Sequence, residues 1–73
     1  MKIEFDSTAD AVYIRLKEAD VFDTKEASHG VFIDVDENDE PIGIEIINVS
    51  KRFAIQDLTR FTFDILQTPL TLA

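Results

Sequence analysis

The sequence predicts an α+β protein that is mostly β. An antiparallel meander sheet of about four to five strands comes first, then a short C-terminal helix and an apolar tail. Three observations carry this expectation. Apolar and polar residues alternate with a period of two in several short runs. Turn-forming residues separate those runs. After Ser50 the period changes and the chain turns strongly apolar. All 73 residues read as a single small domain, with the meander over 1–50 and the helix and tail over 51–73.

Residues 30–47 organise the rest. Val31, Ile33 and Val35 alternate with Phe32, Asp34 and Asp36, and Ile42, Ile44 and Ile46 alternate with Gly43, Glu45 and Ile47. Successive side chains leave a strand on opposite faces, and β-branched residues fit a pleated surface. Glu37, Asn38, Asp39 and Glu40 form the turn. Pro41, with no amide hydrogen to donate, suits a strand's first residue. Pairing Val35 with Ile42 sets Ile33 against Ile44 and Val31 against Ile46, so six aliphatics share one side. Each buried aliphatic contributes roughly 1.5–3 kcal/mol, which disfavours a one-residue slip. Gly43 then faces Asp34, where a glycine inside a strand marks a bulge or a close approach.

The earlier segments follow the same logic. Ile3 and Phe5 alternate with Lys2, Glu4 and Asp6 in a first strand. Residues 6–10 are a turn, since Asp and Ser side chains bond nearby amides. Val12, Ile14 and Leu16 alternate with Ala11, Tyr13, Arg15 and Lys17. Pairing Phe5 with Val12 sets Ile3 beside Ile14 and gives a second hairpin with one apolar face. Residues 21–27 read as an edge strand guarded by charge on both faces. Gly30 supplies a positive φ where the chain enters the central hairpin.

The C-terminal part is less regular. Ser50 is placed to cap a helical turn at residues 51–53. Ile55, Leu58 and Phe61 carry helical spacing, which predicts a helix over about 54–61. Residues 61–65 instead alternate like a strand, so 62–66 stay open. Pro69 ends any helix before it, and residues 68–73 read as a loose or partner-held tail. The segment from Phe53 to Leu72 is too apolar for a free linker. Laid over one side of the sheet, it would bury most of its apolar groups. Tyr13, Phe32 and Ile47 remain on the other side and predict a subunit interface, hence a homodimer.

Composition narrows the function. There is no cysteine, so no disulfide framework and no thiolate metal site. A core of this size typically supplies only about 3–5 kcal/mol, and oligomerisation is the usual remaining support. No apolar run approaches the roughly 20 residues needed to cross a bilayer. The expected setting is the cytoplasm, with no membrane partner. Seven basic residues face fifteen acidic ones, for a net charge of −8. Residues 26–50 hold seven of the acids and no Lys or Arg. Direct nucleic-acid binding is disfavoured, because it rests on neutralising phosphates. The acidic hairpin is either a solvated turn that keeps the protein soluble or a docking face for a basic protein or a cation. As a docking face, its residues are Asp34, Asp36, Glu37, Asp39, Glu40 and Glu45.

Other constellations are weaker. Asp34-x-Asp36-x-Asn38 with Glu45 matches most side-chain positions of an EF-hand loop, but Asp39 stands where the sharp turn needs glycine, and strands flank it. Asp6 and Asp10 flank a turn and read as backbone caps. As an alternative, Asp6, Asp10, Asp34 and Asp36 would serve acid/base or metal-assisted chemistry if both hairpin turns met at one sheet edge. His29 reads as an exposed turn residue. No catalytic, cofactor-binding or metal residue is assigned. A third alternative is an architectural subunit that docks through its apolar tail.

Asp6-x-x-Ala9-Asp10-Ala11-x-Tyr13-Ile14-x-Leu16 resembles the opening of a small prokaryotic family, domain of unknown function 2283. The likeness continues through Gly30-Val31-x-Ile33-Asp34-x-Asp36, then Gly43-Ile44-Glu45-Ile46 and Ser50-Lys51-Arg52, and covers roughly residues 1–53. The chain departs in Val12, where leucine is common, and in Pro41 before Gly43. The resemblance implies a compact, mostly β fold with no assigned activity, catalytic residue or cofactor. It also implies, through neighbouring genes for small toxin-like proteins, an antitoxin-like role beside a basic partner. The tail after Phe53 lies outside it.

Overall fold

The computed structural model describes residues 1–67. Five strands come first: β1 (Lys2–Asp6), β2 (Ala11–Arg15), β3 (Asp23–Ser28), β4 (Val31–Val35) and β5 (Pro41–Ile47). Two single helical turns follow, α1 (Val49–Arg52) and α2 (Ile55–Leu58). The strands form one antiparallel sheet in the order β1-β2-β5-β4-β3. Neighbours in sequence pair within β1–β2 and within β3–β4–β5. The connection after β2 then carries the chain to the far edge, so that β5 returns beside β2 in a Greek-key arrangement.

Most of the expected register holds. Ile3 faces Ile14, Phe5 faces Val12, Ile33 faces Ile44 and Val31 faces Ile46. The pairing of Val35 with Ile42 does not. The register shifts after Asp34, and Val35 stands opposite Pro41. Pro41 cannot donate to the ladder, and a bulge absorbs the missing bond. A second irregularity lies between Glu26 and Ser28. Turns use left-handed residues at Asp10, Asp39 and Asn48, types that tolerate that region, and Gly30 has φ +77° as expected.

The helical turns depart from expectation. Helix α1 begins at Val49, one residue before Ser50, so Ser50 lies inside it rather than capping it. Helix α2 stops at Leu58 instead of reaching 61, and residues 60–66 carry neither helix nor strand. The reading of residues 68–73, Pro69 included, lies outside the described residues.

Side-chain parity gives the sheet two unlike faces. Pairing across β1, β2, β5 and β4 lines up Ile3, Ile14, Ile44 and Ile33 in one row and Phe5, Val12, Ile46 and Val31 in the next. The opposite face carries Glu4, Tyr13, Glu45, Phe32 and Glu26 in one row and Lys2, Arg15, Gly43, Asp34 and Thr24 in another. Among the described residues, only Ala11, Val35, Ile42 and Val49 are buried apolar side chains. The apolar rows stay half-buried or exposed. The tail was expected to cover the sheet and bury itself there. Instead Phe53, Ile55, Phe61, Phe63, Ile65 and Leu66 are all exposed. One short helical turn and a run without regular structure are too small to form a second layer.

Candidate functional site

On the polar face a hydrogen-bonded chain crosses four strands. Tyr13 on β2 donates from its hydroxyl to Asp34 Oδ2 on β4 at 2.8 Å, passing over β5. Thr24 Oγ1 on β3 donates to the other oxygen, Oδ1, at 2.6 Å. The crossing needs Gly43, because a Cβ there would stand 2.6 Å from Tyr13 Cζ. The expected close approach at Gly43 is therefore the Tyr13 ring. Burial first, and then the bond to Asp34, push the Tyr13 phenol above its ordinary range. The Arg15 guanidinium lies 5.4 Å from the same ring's centre.

The acidic residues fall into two places. Asp34 and Glu45 lie on the polar face, and Asp36, Glu37, Asp39 and Glu40 make the β4–β5 turn. Three of the six already have partners. Asp34 holds Tyr13 and Thr24. Asp36 Oδ1 accepts from the amides of Asn38 at 2.9 Å and Glu40 at 3.0 Å, and its carboxylate lies 3.6 Å from Lys17 Nζ. The Glu40 amide is the main reason that Asp36 ionises below the usual carboxylate range. Asp39 is paired with Lys25, whose pKa rises in consequence. The side chains of Glu37, Glu40 and Glu45 have no hydrogen bond or ion pair among the described residues. Glu4, Asp6, Tyr13 and Glu45 also line a shallow depression of about 210 Å³ on the polar face.

Asp6 and Asp10 cap backbone. Asp6 Oδ1 accepts from Thr8 and Ala9, each at 3.0 Å. Asp10 reaches across to α1. Its Oδ1 accepts from the Ser50 amide at 3.0 Å, its Oδ2 from Ser50 Oγ at 2.7 Å, and its carbonyl from the Val49 amide at 3.1 Å. Nearby, Arg52 donates to the His29 carbonyl and lies against Gly30. The Asp6–Asp10 turn precedes Ala11, which pairs with Ile47. The Asp36–Glu40 turn precedes Pro41, at the opposite end of β5. The two hairpin turns therefore lie at opposite ends of the sheet, and Asp6 and Asp10 do not meet Asp34 and Asp36. No group of three or more His, Cys, Asp or Glu able to hold a metal ion occurs among the described residues.

The apolar face is the larger feature. Between β1 and the segment after α2 lies an apolar groove of about 600 Å³, lined by Met1, Ile3, Phe5, Leu58, Phe61 and Phe63. Sequence reasoning missed it, because it assigned those same groups to a closed core.

These features define a class: a small antiparallel β protein with one open apolar face and one acidic, hydrogen-bonded face. The family model described as "Protein of unknown function (DUF2283)" matches residues 2–50, and the chain belongs to that family. No curated protein and no solved structure matches the chain. The motifs that carry the family likeness meet in space. Asp10 binds Ser50, Arg52 covers Gly30, and Gly43 admits Tyr13 to Asp34. They hold the sheet together rather than converging on one reactive group.

Proposed function

We propose that this chain is a cytoplasmic protein-interaction module that works as a homodimer and offers its acidic hairpin to a basic partner protein. The open apolar face carries the reading. A folded monomer of 8.3 kDa presents about 4,600 Å², whereas this chain presents 6068 Å². The difference, about 1,500 Å², is in the range that one subunit of an obligate dimer gives up. The dimensions agree: 39 × 33 × 19 Å with a radius of gyration of 14.3 Å, against about 11 Å for a compact chain of this length. A sheet with one apolar face is stable when a second layer covers that face. No helix among the described residues is long and apolar enough to cross a membrane.

The acidic side supports the second half of the reading. Glu37, Glu40 and Glu45 carry charge that no basic side chain offsets among the described residues, and a surface of one sign steers an oppositely charged partner. Light scattering on the purified chain tests the dimer. A mass of twice the chain is expected, and Ile44→Lys, in the middle of the apolar rows, should give the single-chain mass. A monomer at tens of micromolar would remove the dimer from the proposal.

A further inference from the structure

Within one chain, the stretch 60–65 has the alternation of a strand but carries no regular structure. Phe61, Phe63 and Ile65 alternate with Thr62 and Asp64, and the three apolar side chains are 70%, 77% and 55% exposed. Meanwhile β1 is an edge strand, paired only with β2 among the described residues. Its apolar residues Ile3 and Phe5 already form one wall of the groove, and the chain's own Phe61 and Phe63 stand across from them without pairing to β1.

We infer that residues 61–65 of a second copy add to β1 as a sixth, antiparallel strand, and that the exchange is reciprocal. The inference rests on the dimer reading above and names what the second copy contributes. Charge selects the direction. Antiparallel pairing with Thr62 opposite Glu4 sets Asp64 beside Lys2 and Arg60 beside Asp6, opposite charges at both positions. Parallel pairing about the same centre sets Arg60 beside Lys2 and Asp64 beside Asp6, like charges at both. The same antiparallel register places Phe61 by Phe5 and Phe63 by Ile3, extending the apolar rows by one strand. It also covers an edge whose unpaired backbone N–H and C=O groups are otherwise open to uncontrolled pairing. Reciprocal exchange of identical segments closes under two-fold symmetry and forms no open chain of subunits.

The chain has no cysteine, so introduced thiols are unambiguous. Residues directly opposite in a sheet have Cβ atoms about 4.5–5.5 Å apart, close enough for a disulfide after a small adjustment. In the full chain carrying both Glu4→Cys and Thr62→Cys, mild oxidation should give a covalent dimer on a non-reducing gel. Lys2→Asp and Asp64→Lys test direction. Each alone sets like charges together at both exchanged contacts, and mixing the two restores both pairs. Native mass spectrometry of the equimolar mixture should show hetero-dimers outnumbering the two homo-dimers together several-fold, where random pairing would give equal numbers. An internally bridged monomer, or no bridge in a protein whose unaltered form is a dimer, overturns the exchange and leaves the dimer standing. An unaltered chain that scatters as a monomer overturns both. A statistical mixture overturns the antiparallel register.

Discussion

The hydroxyl of Tyr13 on β2 reaches Asp34 on β4, 2.8 Å away, only because the strand between them carries Gly43. An aromatic ring fills the gap left by a glycine and the glycine gives the ring its path, so the two positions are one device. Gly43→Ala should cost about 1–3 kcal/mol, the range for forcing extra bulk into a packed contact. With Tyr13→Ala already present, the same change should cost much less. Thermal or urea unfolding of the four proteins in that cycle measures the coupling. Equal costs in both backgrounds would separate the glycine from the ring.

Asp10 joins the first turn to α1, and Asn48, the residue before the helix, makes no side-chain cap. Asp10 therefore does from a distance what a capping residue does locally. Asp10→Ala should destabilise by about 1–2 kcal/mol, the usual cost of a lost cap. Ser50→Ala should lose less, because the amide bond to Oδ1 survives it. Amide hydrogen exchange at Ser50 gives a local readout, with faster exchange expected in Asp10→Ala.

Period-two alternation made β1, β2, β4 and β5 legible, and apolar matching set Ile3 against Ile14 and Ile33 against Ile44. Local pattern carries no information on how separate hairpins join, and the pairing of β2 with β5 had no sequence signal. The slip at Val35 came from treating Pro41 as an ordinary first residue, when its missing donor is absorbed by a bulge. Gly43 was readable as a place of close approach, but not the identity of the ring that approaches it. For the candidate site, charge counting located the acids that the β4–β5 turn carries. It could not see that Asp34, Asp36 and Asp39 are engaged inside the chain. The apolar surplus after Phe53 was visible too. Assigning it to the chain's own core assumed a second layer that two four-residue turns cannot supply.

The β4–β5 turn should respond to acid through Asp36. Amides of Glu40 and Asn38, with Lys17 nearby, hold its carboxylate below the usual range. The folded state thus binds the proton more weakly than the unfolded chain. That contribution is whole above the unfolded carboxylate value of about 3.9 and is lost as pH falls through the lower folded value. Asp36→Asn should melt below the unaltered protein at neutral pH, and the gap should narrow as pH falls from about 4. Melting curves from pH 7 down to pH 2 check this. A gap of constant size would assign the effect of the substitution to something other than the charge.

The acids of that same turn should separate by role. Glu37 and Glu40 have side chains free of hydrogen bonds and ion pairs among the described residues, whereas Asp39 is tied to Lys25 and occupies a left-handed position at φ +66°. Reversing Glu37 and Glu40 to Lys changes the surface charge by four and leaves the turn's own bonds in place, so the melting temperature should stay close to that of the unaltered chain. Capture of a basic partner in a pull-down should fall sharply, and the residual binding should lose much of its salt dependence. Asp39→Lys is the opposite case. It sets two lysines together and puts a long side chain where Asn, Asp or Gly is favoured, so stability should drop together with any binding. If Glu37→Lys/Glu40→Lys captures the partner as well as the unaltered chain does, the hairpin acids serve solubility alone and the docking role passes to the polar face around Glu45.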